Sequence, residues 1–132
     1  MSRDKNTVLV VDANPQAIQN LQNLLKGYEF VLLWAPDVVR AHAILRSRDI
    51  SCVLVESEIG EMSSIDFLAE LRDNEKKAQV PKPSPVVLLV GDTSAQMVLR
   101  AKELNVTEIL IKPVTATRLR KALAKALFAK QN

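Results

Sequence analysis

Five short runs of apolar residues alternate along the chain with longer segments in which apolar residues return every third or fourth position. The runs are Thr7 to Val11, Tyr28 to Leu33, Cys52 to Val55, Val86 to Val90 and Glu108 to Ile111. Most are continuous rather than alternating, the pattern of strands covered on both faces of a sheet. The segments between them start and stop like helices. Asn14 offers a capping oxygen ahead of Pro15 in the first turn, Ile18, Leu21, Leu24 and Leu25 form one apolar face, and Gly27 closes that helix in the left-handed C′ position. Asp37 caps a second helix that turns Ala41, Ile44 and Leu45 inward, and Ser63 or Ser64 caps a third that buries Ile65, Leu68 and Leu71. Thr93 or Ser94 starts the fourth. Thr115 starts the fifth, where Leu119, Ala122, Leu123, Ala126 and Leu127 keep to one stripe.

Repeated β-α units predict a parallel sheet with right-handed crossovers and helices on both faces. The irregular stretch Glu75 to Ser84 is a loop inside that pattern: Pro81, Pro83 and the following Pro85 exclude a continuing helix, and the next strand is needed to complete the sheet. Residues 1–132 are therefore expected to form a single domain with its core over 6–128, a length sufficient to bury a real apolar interior.

Composition adds exclusions. No leader is expected at the start, and charges interrupt every apolar run well short of the roughly 18 residues of a membrane span. Cys52 is the only cysteine, which excludes an intramolecular disulfide and a cysteine-based zinc site and fits a reducing cytoplasm; it reads as a small buried strand residue. The net charge of +3 draws on Arg118, Arg120, Lys121, Lys125 and Lys130 in the last helix, without interleaved aromatics or a helix-turn-helix pattern. That is a solvated helix face, and neither nucleic acid nor membrane is an expected partner. His42, the single histidine, reads as an ordinary mid-helix residue, and Trp34, just after the second strand, as packing at the sheet edge.

In a sheet of this kind, function gathers at the C-terminal ends of the strands. Those ends carry Asp12 after the first strand, Glu56 after the third, Gly91-Asp92 after the fourth and Lys112-Pro113 after the fifth. Two acids and a lysine from distant parts of the chain thus share one edge, a combination more telling than any one charged strand end.

With VLVVDANP near the start, VLVESEIGEMSS in the middle, and PVVLLVGD and EILIKP later, the chain resembles the receiver domain of two-component response regulators over residues 6 to 128. The resemblance implies a flavodoxin-like (βα)5 doubly wound sandwich, its five-stranded parallel sheet in the order 2-1-3-4-5. It also implies a paired acidic motif after strand one, a phospho-accepting Asp ending strand three, Thr or Ser ending strand four, and a Lys-Pro bond, often cis, after strand five.

Matched to those roles, the sequence keeps Asp12, Lys112 and Pro113 and changes the rest. Ala13 stands where the family has a direct magnesium ligand, and Glu56 stands at the phosphoacceptor position. Ile59-Gly60 replaces the usual Met-Pro and Ser63-Ser64 the usual Asp-Gly. Val90 takes the place of the switch hydroxyl and Ile109 that of the switch aromatic. Magnesium wants oxygen ligands in near-octahedral geometry, and Ala13 has none. A unit charge pair about 4 Å apart at an effective dielectric near 20 is worth roughly 4 kcal/mol, so one lost carboxylate weakens a divalent site substantially. Glu56 carries its carboxylate outward by about 1.5 Å, which disfavours in-line attack. Val90 cannot donate a hydrogen bond to a phosphoryl oxygen, and Ile109 has no ring to swing.

The expectation is a non-enzymatic, phosphorylation-independent pseudo-receiver with magnesium binding absent or weak and no cofactor. Its partner would be a protein: a histidine kinase, an output domain or another regulator, met through the fourth helix, fifth strand and fifth helix, where a homodimer could also form. Glu56 is expected to stand in for the acyl phosphate and pair with Lys112, against the plainer alternative of an acid solvated at a loop. Two other readings stay open: a receiver phosphorylated by a histidine kinase on Glu56 or Asp12, and a small phosphatase or flavin carrier on the same scaffold. The latter lacks a second Asp at Asn14 and a Ser/Thr/Gly-rich phosphate loop in DANPQA.

Overall fold

The computed structural model describes residues 6–131. The sheet is made of β1 (Thr7–Val11), β2 (Val31–Ala35), β3 (Cys52–Glu56), β6 (Val86–Val90) and β7 (Glu108–Ile111), all parallel, in the order β2-β1-β3-β6-β7. Counting only these five strands, the order is the expected 2-1-3-4-5. Between them run α1 (Pro15–Leu24), α2 (Val38–Ser47), α3 (Ser64–Lys77), α4 (Ala95–Glu103) and α5 (Ala116–Gln131).

The continuous apolar runs hide a period of two. Leu9, Val11, Val53, Val55, Val86, Leu88 and Val90 face one side of the sheet, where they meet Ala41 of α2, Phe67 and Leu68 of α3 and Ala101 of α4. Their neighbours Val8, Val10, Cys52, Leu54 and Val87 face the other, against Leu21 of α1 and Leu119 and Leu123 of α5. Each fully buried Leu or Val contributes about 1.5–3 kcal/mol by leaving water, and after the buried Thr7 that opens β1 the central strands carry apolar residues until they end.

Most helix starts are those expected. Asn14 Oδ1 accepts from Gln16 N, Asp37 Oδ1 from Arg40 N, and Thr115 Oγ1 from Arg118 N. Of the paired candidates, Ser63 caps α3 and Ser94 caps α4, each hydroxyl accepting the N–H three residues on. Four features differ. α3 runs to Lys77, so the loop expected from Glu75 begins only at Ala78, because the charged residues Glu75 to Lys77 still complete the helix's last turn and only the prolines further on forbid it. Gly27 has the left-handed backbone, φ 89°, but α1 ends at the C-cap Leu25, so the glycine lies one residue beyond C′. The second strand runs from Val31, not Tyr28, because Tyr28 N donates to Leu25 O in the helix-ending turn and β1 pairs Thr7 with Val31. Trp34 consequently lies within β2 rather than after it. The stretch following β3 forms a small antiparallel hairpin, β4 (Glu58–Ile59) with β5 (Met62–Ser63), turning through Gly60 at φ 65°.

At the N-terminal edge of the sheet, Arg72 of α3 ties three segments together. Its Nε donates to Leu104 O at 2.8 Å and its Nη1 to Glu75 Oε1 at 2.8 Å, while Glu75 Oε2 accepts Ser84 N at 2.7 Å. The proline-bearing loop and the turn before β7 are thus held by one guanidinium and one carboxylate.

Candidate functional site

Asp12 follows the last residue of β1, and its N–H extends the ladder to Ala35 O. Its Oδ1 accepts the N–H of Asn14 at 2.9 Å, and its carbonyl accepts Trp34 Nε1 at 2.8 Å. Asp12 is only 7% exposed, and burial pushes its carboxyl above the ordinary aspartate value; the Asn14 N–H opposes that rise, the Glu56 charge adds to it, and the Lys112 charge opposes it. Ala13 is exposed and contributes a methyl group.

Glu56 closes β3, paired in register with Leu89 of β6. Its Oε1 accepts both the N–H and the hydroxyl of Ser57, at 2.9 and 3.2 Å, and its Oε2 accepts Lys112 Nζ at 2.5 Å. Both carboxylate oxygens of Glu56 thus have protein partners. Lys112 is placed by its N–H, which donates to Val90 O at 2.8 Å, and by the cis bond to Pro113. The cis isomer is the one expected from the sequence.

Asp12, Glu56, Lys112 and Pro113 line one cleft of about 680 Å³, whose deeper walls are apolar residues of the sheet, α1 and α5. Val90 and Ile109 are not part of it. Val90 is fully buried on the opposite face of the sheet, and Ile109 packs against the edge of that same cluster. Ala13, at the cleft's rim in sequence, does not line it. His42 lies far from this edge in a polar contact of its own, Nε2 against Glu70 Oε1 at 3.0 Å with its ring on Phe67. Cys52 is wholly buried with its thiol pushed up to about 12 by desolvation, a core residue as expected.

Three features were not foreseen: the Trp34 to Asp12 hydrogen bond, the support of Glu56 by Ser57, and the apolar cleft behind the charges. Trp34 gives no sequence signal of its partner, because β2 and the end of β1 meet only through the sheet register. The cleft is lined by Ala17 of α1 and Leu119 of α5 among others, and periodicity along the chain does not encode such a gap.

A doubly wound sandwich of this strand order, with acids ending β1 and β3 and a Lys-cis-Pro ending β7, defines a receiver-type signalling module. The profile of the response regulator receiver domain matches residues 8–124, and the chain belongs to that family. Among curated proteins it is 31% identical over 127 residues to the transcriptional regulatory protein ZraR of Salmonella typhimurium, covering 96% of this chain and 27% of that protein. It is 26% identical over 119 residues to the chemotaxis protein CheY-3 of Vibrio cholerae, covering 89% and 88%. Among solved structures, the receiver domain of an HD-domain-containing protein from Pseudomonas fluorescens superposes with a TM-score of 0.81 at 26% identity over 98% of both chains. The chain is thus a receiver domain of the two-component response regulator family. It spans about a quarter of the length of ZraR. Among the described residues no helix is long and apolar enough to cross a membrane.

Proposed function

We propose that this receiver signals by protein-protein contact without being phosphorylated, with Glu56 and Lys112 holding the site in one arrangement. The observation that carries this reading is the 2.5 Å contact of Lys112 Nζ with Glu56 Oε2 at the phosphoacceptor position. A lysine that would meet an acyl phosphate already has its anion.

The donor set also fits the family's magnesium poorly. Asp12 spends one oxygen on Asn14 and is disfavoured in its charged form by burial, Glu56 is engaged through both oxygens, and the side chain at position 13 offers no oxygen. No step is therefore assigned to a metal here. Buried Val90 and half-buried Ile109 lack the hydroxyl and the ring on which a phosphate-dependent switch would draw. The partner is a histidine kinase, an output domain or another regulator in the cytoplasm. It meets the surface of α4, β7 and α5, where Val98, Leu99 and Ile111 are exposed, a face that would also serve a homodimer.

The test is intact mass after incubation with acetyl phosphate or phosphoramidate and magnesium, with Trp34 emission recorded in parallel. No phosphoryl adduct and no magnesium response are expected. An adduct mapped to Glu56 or Asp12 overturns the proposal and restores the phosphorylated-receiver reading.

A further inference from the structure

The cleft beside the acidic residues is larger and more apolar than a phosphoryl site requires. Val10 and Leu54 of the sheet, Leu21 and Ala17 of α1, Val114 just before α5 and Leu119 within it form its walls, and its volume of about 680 Å³ lies in the range of small-molecule pockets. At its mouth Lys112 Nζ donates to Glu56 and not to Asp12, whose charge it offsets only through space. Asp12 is more than nine-tenths buried and lines the cleft, and of its two carboxylate oxygens Oδ1 alone has a hydrogen-bond partner among the described residues. Glu56 and Lys112 are the charged groups that act on it. A buried acid with one free oxygen at the head of an apolar cleft is built to receive a cation on an apolar body.

We propose that the cleft between α1 and α5 binds a small apolar molecule with a single amine head, the ammonium donating to Asp12 Oδ2 and the hydrocarbon lying between Leu21, Leu54 and Leu119. The Asn14 and Asn20 amides, which also line the cleft, offer further partners to the head group. The inference goes beyond the signalling role and does not depend on whether Glu56 can be phosphorylated. An adduct on Glu56 in the acetyl phosphate experiment leaves it standing, and its own failure leaves the protein-contact reading untouched.

The experiment uses the whole chain and three probes of one shape: phenylbutylamine, phenylbutanol and phenylbutanoate. Binding is read from Trp34 emission, since its indole is hydrogen-bonded to the Asp12 carbonyl, and from methyl NMR shifts of Leu21 and Val114. Saturable binding of the amine is expected, at least tenfold tighter than the alcohol and tighter still than the carboxylate. Asp12→Asn should bring the amine to the level of the alcohol, and Ala17→Phe, which fills the cleft wall, should weaken all three probes. No saturation at millimolar amine, or equal affinity for amine and carboxylate, overturns the proposal on the unaltered protein alone. An amine preference that survives in folded Asp12→Asn overturns the role of that carboxylate.

Discussion

Lys112 and Glu56 meet in a single short contact, but their exposures differ: the lysine side chain is 43% exposed and the glutamate 17%. Solvent screening therefore limits what the pair contributes, and a double-mutant cycle with Glu56→Ala and Lys112→Ala should return a coupling of about 0.5–1 kcal/mol. That coupling should shrink as salt is raised to about 1 M, where the screening length falls to about 3 Å. Urea unfolding of the four proteins measures it, and a coupling indistinguishable from zero removes the clasp from the account. Asp12 behaves in the opposite sense. Its folded-state value lies above 3.8, so the native protein holds this proton more tightly than the unfolded chain. Stability is consequently lost as pH rises from 3.8 through the raised value, and the charged form weakens the fold at neutral pH. Asp12→Asn keeps the acceptor for Asn14 N–H while removing the charge. It should be more stable than the parent near pH 7, with the gain fading at a pH well below the unfolded value, as denaturation at both ends of that window would register. A variant less stable at neutral pH would contradict burial as the dominant influence on this carboxyl.

Elements are joined at the opposite edge by Arg72. Its side chain is 15% exposed and that of Glu75 12%, so removing the guanidinium strands a carboxylate away from water and frees the Leu104 carbonyl. Arg72→Ala should cost about 2–3 kcal/mol in urea or thermal unfolding. Arg72→Lys should recover little, because an ammonium cannot reach both acceptors in the planar fork geometry that guanidinium provides. A loss below about 0.5 kcal/mol for the alanine variant would mark the cluster as incidental. Nothing in the sequence announced this hub, since Arg72 and Leu104 are 32 residues apart and the carbonyl is presented by a turn. Helix starts were legible because a capping side chain acts on its own next turn, within three residues. Strand starts were less so: Tyr28 and Phe30, either side of Glu29, extend the apolar run, yet the pairing of Thr7 with Val31 decides where the strand begins.

For the whole molecule, alternating apolar runs and amphipathic segments were enough to reach the layered sheet, because burial on both faces leaves so few residue types possible in β1, β3 and β6. The same topology places Asp12, Glu56 and Lys112 at one edge of the sheet from the strand order alone. What lay outside its reach was volume: whether α1 and α5 close against each other or leave a gap is decided by side chains packed across the sheet, not along it. The Glu56 to Lys112 contact carries a consequence of another kind. β3 and β7 are not neighbours; β6 lies between them, and the partners are 56 residues apart in the chain. The two charges come together only once β6 has been threaded into the sheet and β7 laid beside it, so the contact belongs to the last stage of assembly. Breaking it should leave the refolding limb of a chevron almost unmoved and steepen escape from the native basin, making the clasp a brake on unfolding rather than a guide to folding.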